Sequence, residues 1–167
     1  MTIITVYPLE QVIEVKQRRV DEAEKVVKEK QAALEKEQET LKKKEADRDK
    51  AKQHSDDKLK QMREEMDKGT TSPKILQMRA YLKVTKERVA IEEKKVKDQK
   101  VQVETAQKNL EAAKEQLKIK RQEVDKLLTH RKDWMKEMKK EQEIIEGREQ
   151  DEIGSTLFSI HHPRGKN

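Results

Sequence analysis

Ile13, Val20, Val27, Leu34 and Leu41 stand seven residues apart, and so do Leu82, Val89, Val96, Val103, Leu110, Leu117 and Val124. A repeat of seven sustained over this many turns is the mark of helices wound around one another. Each series has a second, weaker partner. In the first half it runs Leu9, Lys16, Ala23, Lys30, Glu37, Lys44, Ala51. In the second it runs Met78, Thr85, Glu92, Gln99, Ala106, Ala113, Lys120, Leu127, and Ile75 extends the strong series by one heptad. A step between Ser55 and Leu59 reads as a four-residue stutter, which locally unwinds a supercoil.

Composition closes the alternatives. Charged residues make up 44% of the 167-residue chain and aromatic residues 2%, too little apolar bulk for a globular core. Disorder is the other reading of such a composition, but disordered chains seldom keep long spans free of Pro and Gly. Here the few prolines and glycines sit near the ends of the proposed helices. The expected fold is all-α: a long, rod-shaped, antiparallel two-helix coiled-coil hairpin filling residues 1–167 as a single unit.

The punctuation sets the boundaries. Pro8 suits a first helical turn, where its missing N–H leaves no bond unmade. Helix one is expected over about 8–67 and the bend over 68–72. There Gly69 can adopt the left-handed conformation that ends a helix, Ser72 can cap the next one, and Pro73 fits the turn that follows. Helix two is expected over about 73–153, stopping at Gly154–Ser155, with 154–167 a mobile tail.

In an antiparallel hairpin the two series face each other. Ile13 then meets Val124, Val20 meets Leu117, Val27 meets Leu110, Leu34 meets Val103, Leu41 meets Val96 and Met62 meets Ile75. Ala23 falls opposite Ala113, Leu9 opposite Leu127, and Lys44 opposite Glu92. The centre of this register lies between Lys68 and Gly69, where the bend is. A slip of one heptad would move the bend into a helix. Exposed pairs four residues apart, Asp21–Lys25, Glu24–Lys28, Glu39–Lys43, Glu93–Lys97 and Glu104–Lys108, add about 0.2–0.5 kcal/mol each.

The helices are unequal. Residues from about 130 to 153 have no counterpart in helix one and form an overhang of roughly 35 Å at about 1.5 Å per residue. It carries Trp134, Met135, Met138, Ile144 and Ile145. These are candidate partner-binding residues, since an unmatched apolar stripe needs cover. The alternative is that Trp134 packs over Tyr7 or Leu9. Tyr81 is a further candidate contact on the hairpin flank.

Other chemistries find little footing. Forty cations and 34 anions alternate along the chain, which argues against the basic stripe that nucleic acid requires. There is no cysteine, and His54, His130, His161 and His162 are scattered. No phosphate-binding loop, nucleophile elbow or zinc-protease motif occurs, and a two-helix rod has no pocket to desolvate a catalytic group. No enzyme activity, cofactor, metal or membrane insertion is expected.

Specific residues point to a family. Asp67-Lys68-Gly69-Thr70-Thr71-Ser72-Pro73-Lys74-Ile75-Leu76, followed by Met78 and Ala80-Tyr81-Leu82, resembles the bend of the FliJ/YscO family of type III secretion. Tyr7-Pro8-Leu9 with Val12-Ile13, Trp134-Met135-Lys136-Glu137 and the acidic Glu149-Gln150-Asp151-Glu152 extend the likeness, which is strongest to the chlamydial YscO-like branch. The resemblance implies a cytoplasmic stalk at the secretion apparatus. It would be a monomer in isolation, would enter the hexameric secretion ATPase, touch an export-gate protein and escort chaperones. The open end would enter the ring and the flank would face the gate. Of the aromatic residues that flagellar members carry on that flank, only Tyr81 is matched. A generic structural coiled-coil scaffold with no ATPase partner is the competing reading.

Overall fold

The computed structural model describes residues 6–161. It contains two α-helices, α1 over Glu10–Lys68 and α2 over Ser72–His161. The chain forms two compact units, residues 23–117 and residues 1–22 with 118–167. In each, a stretch of α1 packs antiparallel on a stretch of α2. The all-α, two-helix coiled-coil fold expected from the heptads is therefore the one observed.

Unit 23–117 contains the bend. Gly69 has φ +80° and its amide donates to the Met66 carbonyl at 3.2 Å, closing the end of α1. The amides of Lys74 and Ile75 donate to the Thr71 carbonyl, at 3.1 Å each. Thr71 therefore takes the capping position expected for Ser72, and Ser72 is the first residue of the helix. Pro73 follows in the first turn, where an absent N–H leaves no intrahelical bond broken. The turn between the helices is only Gly69–Thr71.

The seam of this unit follows the heptads. Leu34, Ala51, Leu82, Val96, Leu110 and Leu117 are buried, with Leu110 only 2% exposed. Val27, Leu41, Met62, Ile75, Val89 and Val103 are half-buried. Ser55 is buried too, and Met62, one heptad further on, is half-buried. The expected stutter after Ser55 therefore does not redirect the seam. A polar contact replaces an apolar one there: the Thr85 hydroxyl lies 3.2 Å from Ser55 Oγ and 2.7 Å from the Leu82 carbonyl. One heptad before Ala51, Lys44 donates to Gln99 Oε1 at 3.2 Å, and Gln99 in turn donates to the backbone carbonyl and carboxylate of Glu37.

This corrects the partner expected for Lys44. Glu92 is instead bonded to Lys95 along its own helix at 3.2 Å. Gln99 is buried, and its amide can both accept from the lysine and donate to the glutamate, which a carboxylate cannot do. Of the expected surface pairs, Glu39–Lys43 and Glu104–Lys108 form, at 3.8 and 3.0 Å. Glu93 reaches across to Lys52 at 3.0 Å rather than along the helix to Lys97.

In the other unit, Tyr7, Ile13, Val20 and Val124 are buried. Pro8 lies in the turn that precedes α1, not in its first turn. The Glu10 amide donates to the Tyr7 carbonyl and the Ile13 amide to the Leu9 carbonyl. At the far end α2 passes through Gly154 and Ser155 and continues to His161, beyond the stop expected near Ile153. Gly154 does not take the left-handed conformation that would end the helix. Thr156 and Ser159 fold their hydroxyls back onto the carbonyls of Glu152 and Ser155, at 2.8 and 2.9 Å, which keeps them inside a helix rather than in a competing turn. The rest of the expected tail, residues 162–167, lies outside the described residues.

Among the described residues no helix is long and apolar enough to cross a membrane.

Candidate functional site

The open end is built where α1 begins. Tyr7 is 3% exposed, the most enclosed aromatic ring of the described chain. Its ring packs edge-on to Trp134, with centroids 5.4 Å apart, and beside His130 at 5.7 Å. Its hydroxyl is hydrogen-bonded to His130 Nδ1. One turn later Arg131 donates to Glu10 at 2.8 Å. Two turns later Lys16 donates to Glu123 at 2.9 Å. That bond holds the Glu123 carboxyl below the usual carboxylate range, and the charges of Lys16, Lys120 and Arg19 act in the same direction. Together these contacts form a clasp. An aromatic ring supplies the buried area, and two ion pairs fix which turn of α2 it meets.

The clasp sorts the candidate residues of the overhang. Trp134 and Met138 are half-buried, Trp134 against Tyr7. Met135, Ile144 and Ile145 are exposed, at 51%, 55% and 54%. The apolar exposure continues through Ile153, Leu157 and Ile160. Residues 139–161 extend the helix by about 35 Å past Met138 at about 1.5 Å per residue. The heptad had announced the seam as far as Leu127. His130, although visible in the sequence, carried no signal there, because its partner is 123 positions away.

Tyr81 belongs to the other unit and is 47% exposed. Its hydroxyl is bonded to His54 Nε2 at 2.9 Å, the two rings meet edge-on at 6.0 Å, and Lys58 lies 5.6 Å from the Tyr81 ring centre. The ring is thus held in one orientation with half of it open to solvent. Gly69, Ser72 and Pro73 serve the bend and take no part in either patch.

Neither patch assembles a reactive set. Among the described residues no group of three or more His, Asp and Glu side chains is placed to hold a metal ion. Nor does any buried side-chain polar atom lack a hydrogen bond. What the surface offers is apolar area on a stiff helix, suited to meeting another protein.

The YscO-like protein family model matches residues 4–164. A chain assigned as a YscO homologue, CT670 from Chlamydia trachomatis, is 47% identical, with a TM-score of 0.91 over 97% of this chain and all of that one. A chain from the structure of the Chlamydia pneumoniae CdsV and CdsO protein complex is 48% identical, with a TM-score of 0.48 over 50% of this chain and 98% of its own length. No curated protein sequence matches. The family match spans nearly the whole chain and the same two-helix fold recurs in a relative of high identity, so the chain belongs to the YscO-like family of structural type III secretion components.

Proposed function

We propose that this chain is a non-enzymatic central stalk and escort of a type III secretion apparatus, working in the cytoplasm at the face of the machine. The open end enters the hexameric secretion ATPase. The flank carrying Tyr81 meets an export-gate protein, and secretion chaperones are carried in turn. The family supports the setting. The observation that carries the ATPase contact is the run of exposed apolar residues beyond the clasp, Met135, Ile144 and Ile145, on a helix that continues to His161.

A stiff helix in a ring touches the surrounding subunits unequally and can bias their turnover. The abundant exposed charges favour a contact that forms and releases easily, since solvated ion pairs add little affinity and exchange readily.

The test is co-sedimentation of the chain with the purified secretion ATPase, with ATP turnover recorded alongside. Substoichiometric binding to the hexamer and faster hydrolysis are expected. Ile144→Asp with Ile145→Asp should remove both effects while leaving the helix content unchanged, because both side chains are exposed. This pair is a cleaner probe than Trp134, whose loss would also open the clasp. Undiminished stimulation by the double variant would exclude the open end as the ATPase contact.

A further inference from the structure

The overhang is divided by charge. Between Leu128 and Lys140 five cations, Arg131, Lys132, Lys136, Lys139 and Lys140, outnumber two anions, Asp133 and Glu137. Between Glu141 and Glu152 six acids, Glu141, Glu143, Glu146, Glu149, Asp151 and Glu152, stand against Arg148 alone. Elsewhere along the chain the signs alternate.

Each block is strained by its own spacing. Lys132, Lys136 and Lys140 follow one another at four-residue steps, and Glu146, Glu149 and Glu152 at three-residue steps. Those are the separations at which like charges on a helix repel. Among the described residues, none of the six acids is in an ion pair, and of the five cations only Arg131 is, with Glu10.

Both blocks carry apolar surface. Leu128 and Met135 floor an open groove of about 560 Å³ rimmed by Arg131, Lys132, Lys136 and Lys139. About five helical turns after Met135, Ile153 continues the same face just past the acidic block and is 60% exposed.

We infer that the occupant of this surface is the same surface of a second copy, laid antiparallel so that the basic block of each chain lies on the acidic block of the other. A parallel arrangement would stack like on like. The antiparallel one satisfies both blocks at once, as a two-fold interface must, because each contact is made twice. An unrelated acidic helix would cover only the basic half. The sequence alone suggested a monomer; the uncovered, charge-divided helix argues for a reversible dimer. Such a dimer would hide Met135, so self-pairing and binding of another protein at this face would exclude each other.

The experiment is sedimentation equilibrium of the full chain over a graded concentration series, with no other protein present, so its result does not depend on the ATPase reading. The weight-average mass should rise from the monomer value of 19.7 kDa toward twice that. The triple variant Lys132→Glu, Lys136→Glu, Lys139→Glu should remain monomeric. Adding Glu143→Lys, Glu146→Lys and Glu149→Lys to that chain should restore the doubling, because the blocks are then exchanged rather than matched in sign. Circular dichroism of each variant checks that the helices persist. A wild-type mass constant at every concentration would overturn the inference. So would a dimer indifferent to the triple variant, or a sixfold variant, still helical, that stays monomeric.

Discussion

The two units solve the same problem differently. In the unit of residues 23–117 the helices are joined by a three-residue turn, and the seam tolerates polar residues at buried positions: Ser55, Thr85 and Gln99. In the unit that holds the first turns of α1 no covalent turn joins the helices, and the seam there ends in the Tyr7 ring with two ion pairs between the helices. A short connection makes local pairing cheap in entropy, so side chains can be spent on choosing a register. Far from a connection, the helices need buried area to stay together, and an aromatic residue supplies more of it than any aliphatic one.

The largest test of this contrast is Leu110→Ala. Leu110 is the most deeply buried side chain, and its truncation should lower unfolding free energy by about 3 kcal/mol, within the usual range for such cavities. Urea titration followed by circular dichroism measures it. Tyr7→Ala should cost about 2 kcal/mol, but locally. Amide exchange around His130–Trp134 should quicken and Trp134 fluorescence should shift toward that of a solvated indole, while protection at Leu110 stays as it was. If Tyr7→Ala instead loosens the entire chain evenly, the distinction between a turn-closed and a clasp-closed unit fails.

Smaller effects sharpen the point. Thr85→Val leaves the Ser55 hydroxyl without its cross-helix partner and should cost about 1 kcal/mol in the same titration. A neutral or stabilising result would mean that the pair serves no structural purpose. The smallest expected effect is that of Glu123→Gln. The Lys16 bond lowers the Glu123 pKa in the folded chain, so its stabilising contribution is present above the ordinary carboxylate value and disappears as pH falls through the lowered one. The wild type should lose its small advantage over the variant on acidification below the ordinary carboxylate value of 4.5, as pH falls through the lowered one. An advantage unchanged at lower pH would dissociate the ion pair from the clasp.

Much of the fold was legible because a heptad is a local signal with a long reach. All eight positions from Ile75 to Val124 in the strong series of α2 are buried or half-buried, as are their weaker partners from Met78 to Leu127. The bend was legible for a different reason: Gly and Pro limit backbone angles wherever they stand. What escaped was chemistry between distant positions. The heptads matched Lys44 with Glu92 by sign, but a buried amide that can accept and donate was the better partner. Tyr7 and His130 carry no shared pattern. Gly154 looked like a stop, yet a glycine ends a helix only when the chain takes the left-handed turn there, and the hydroxyls that follow bond backward instead. The open end was readable as surplus length, and Trp134 over Tyr7 stood as one of its two readings; that both hold at once, with Trp134 clasped and Met135, Ile144 and Ile145 exposed, was not legible.

The turn at Gly69 has a consequence for handedness. Its φ is +80°, yet a methyl group added at its α-carbon would meet nothing within 4 Å. There is room for a side chain at this corner, and only the chirality of natural amino acids stands against one. The positive φ that strains an L-alanine is the one a D-alanine prefers. The reversal of the chain thus depends on a mirror-image backbone conformation, and glycine is the one ribosomal residue that adopts it freely.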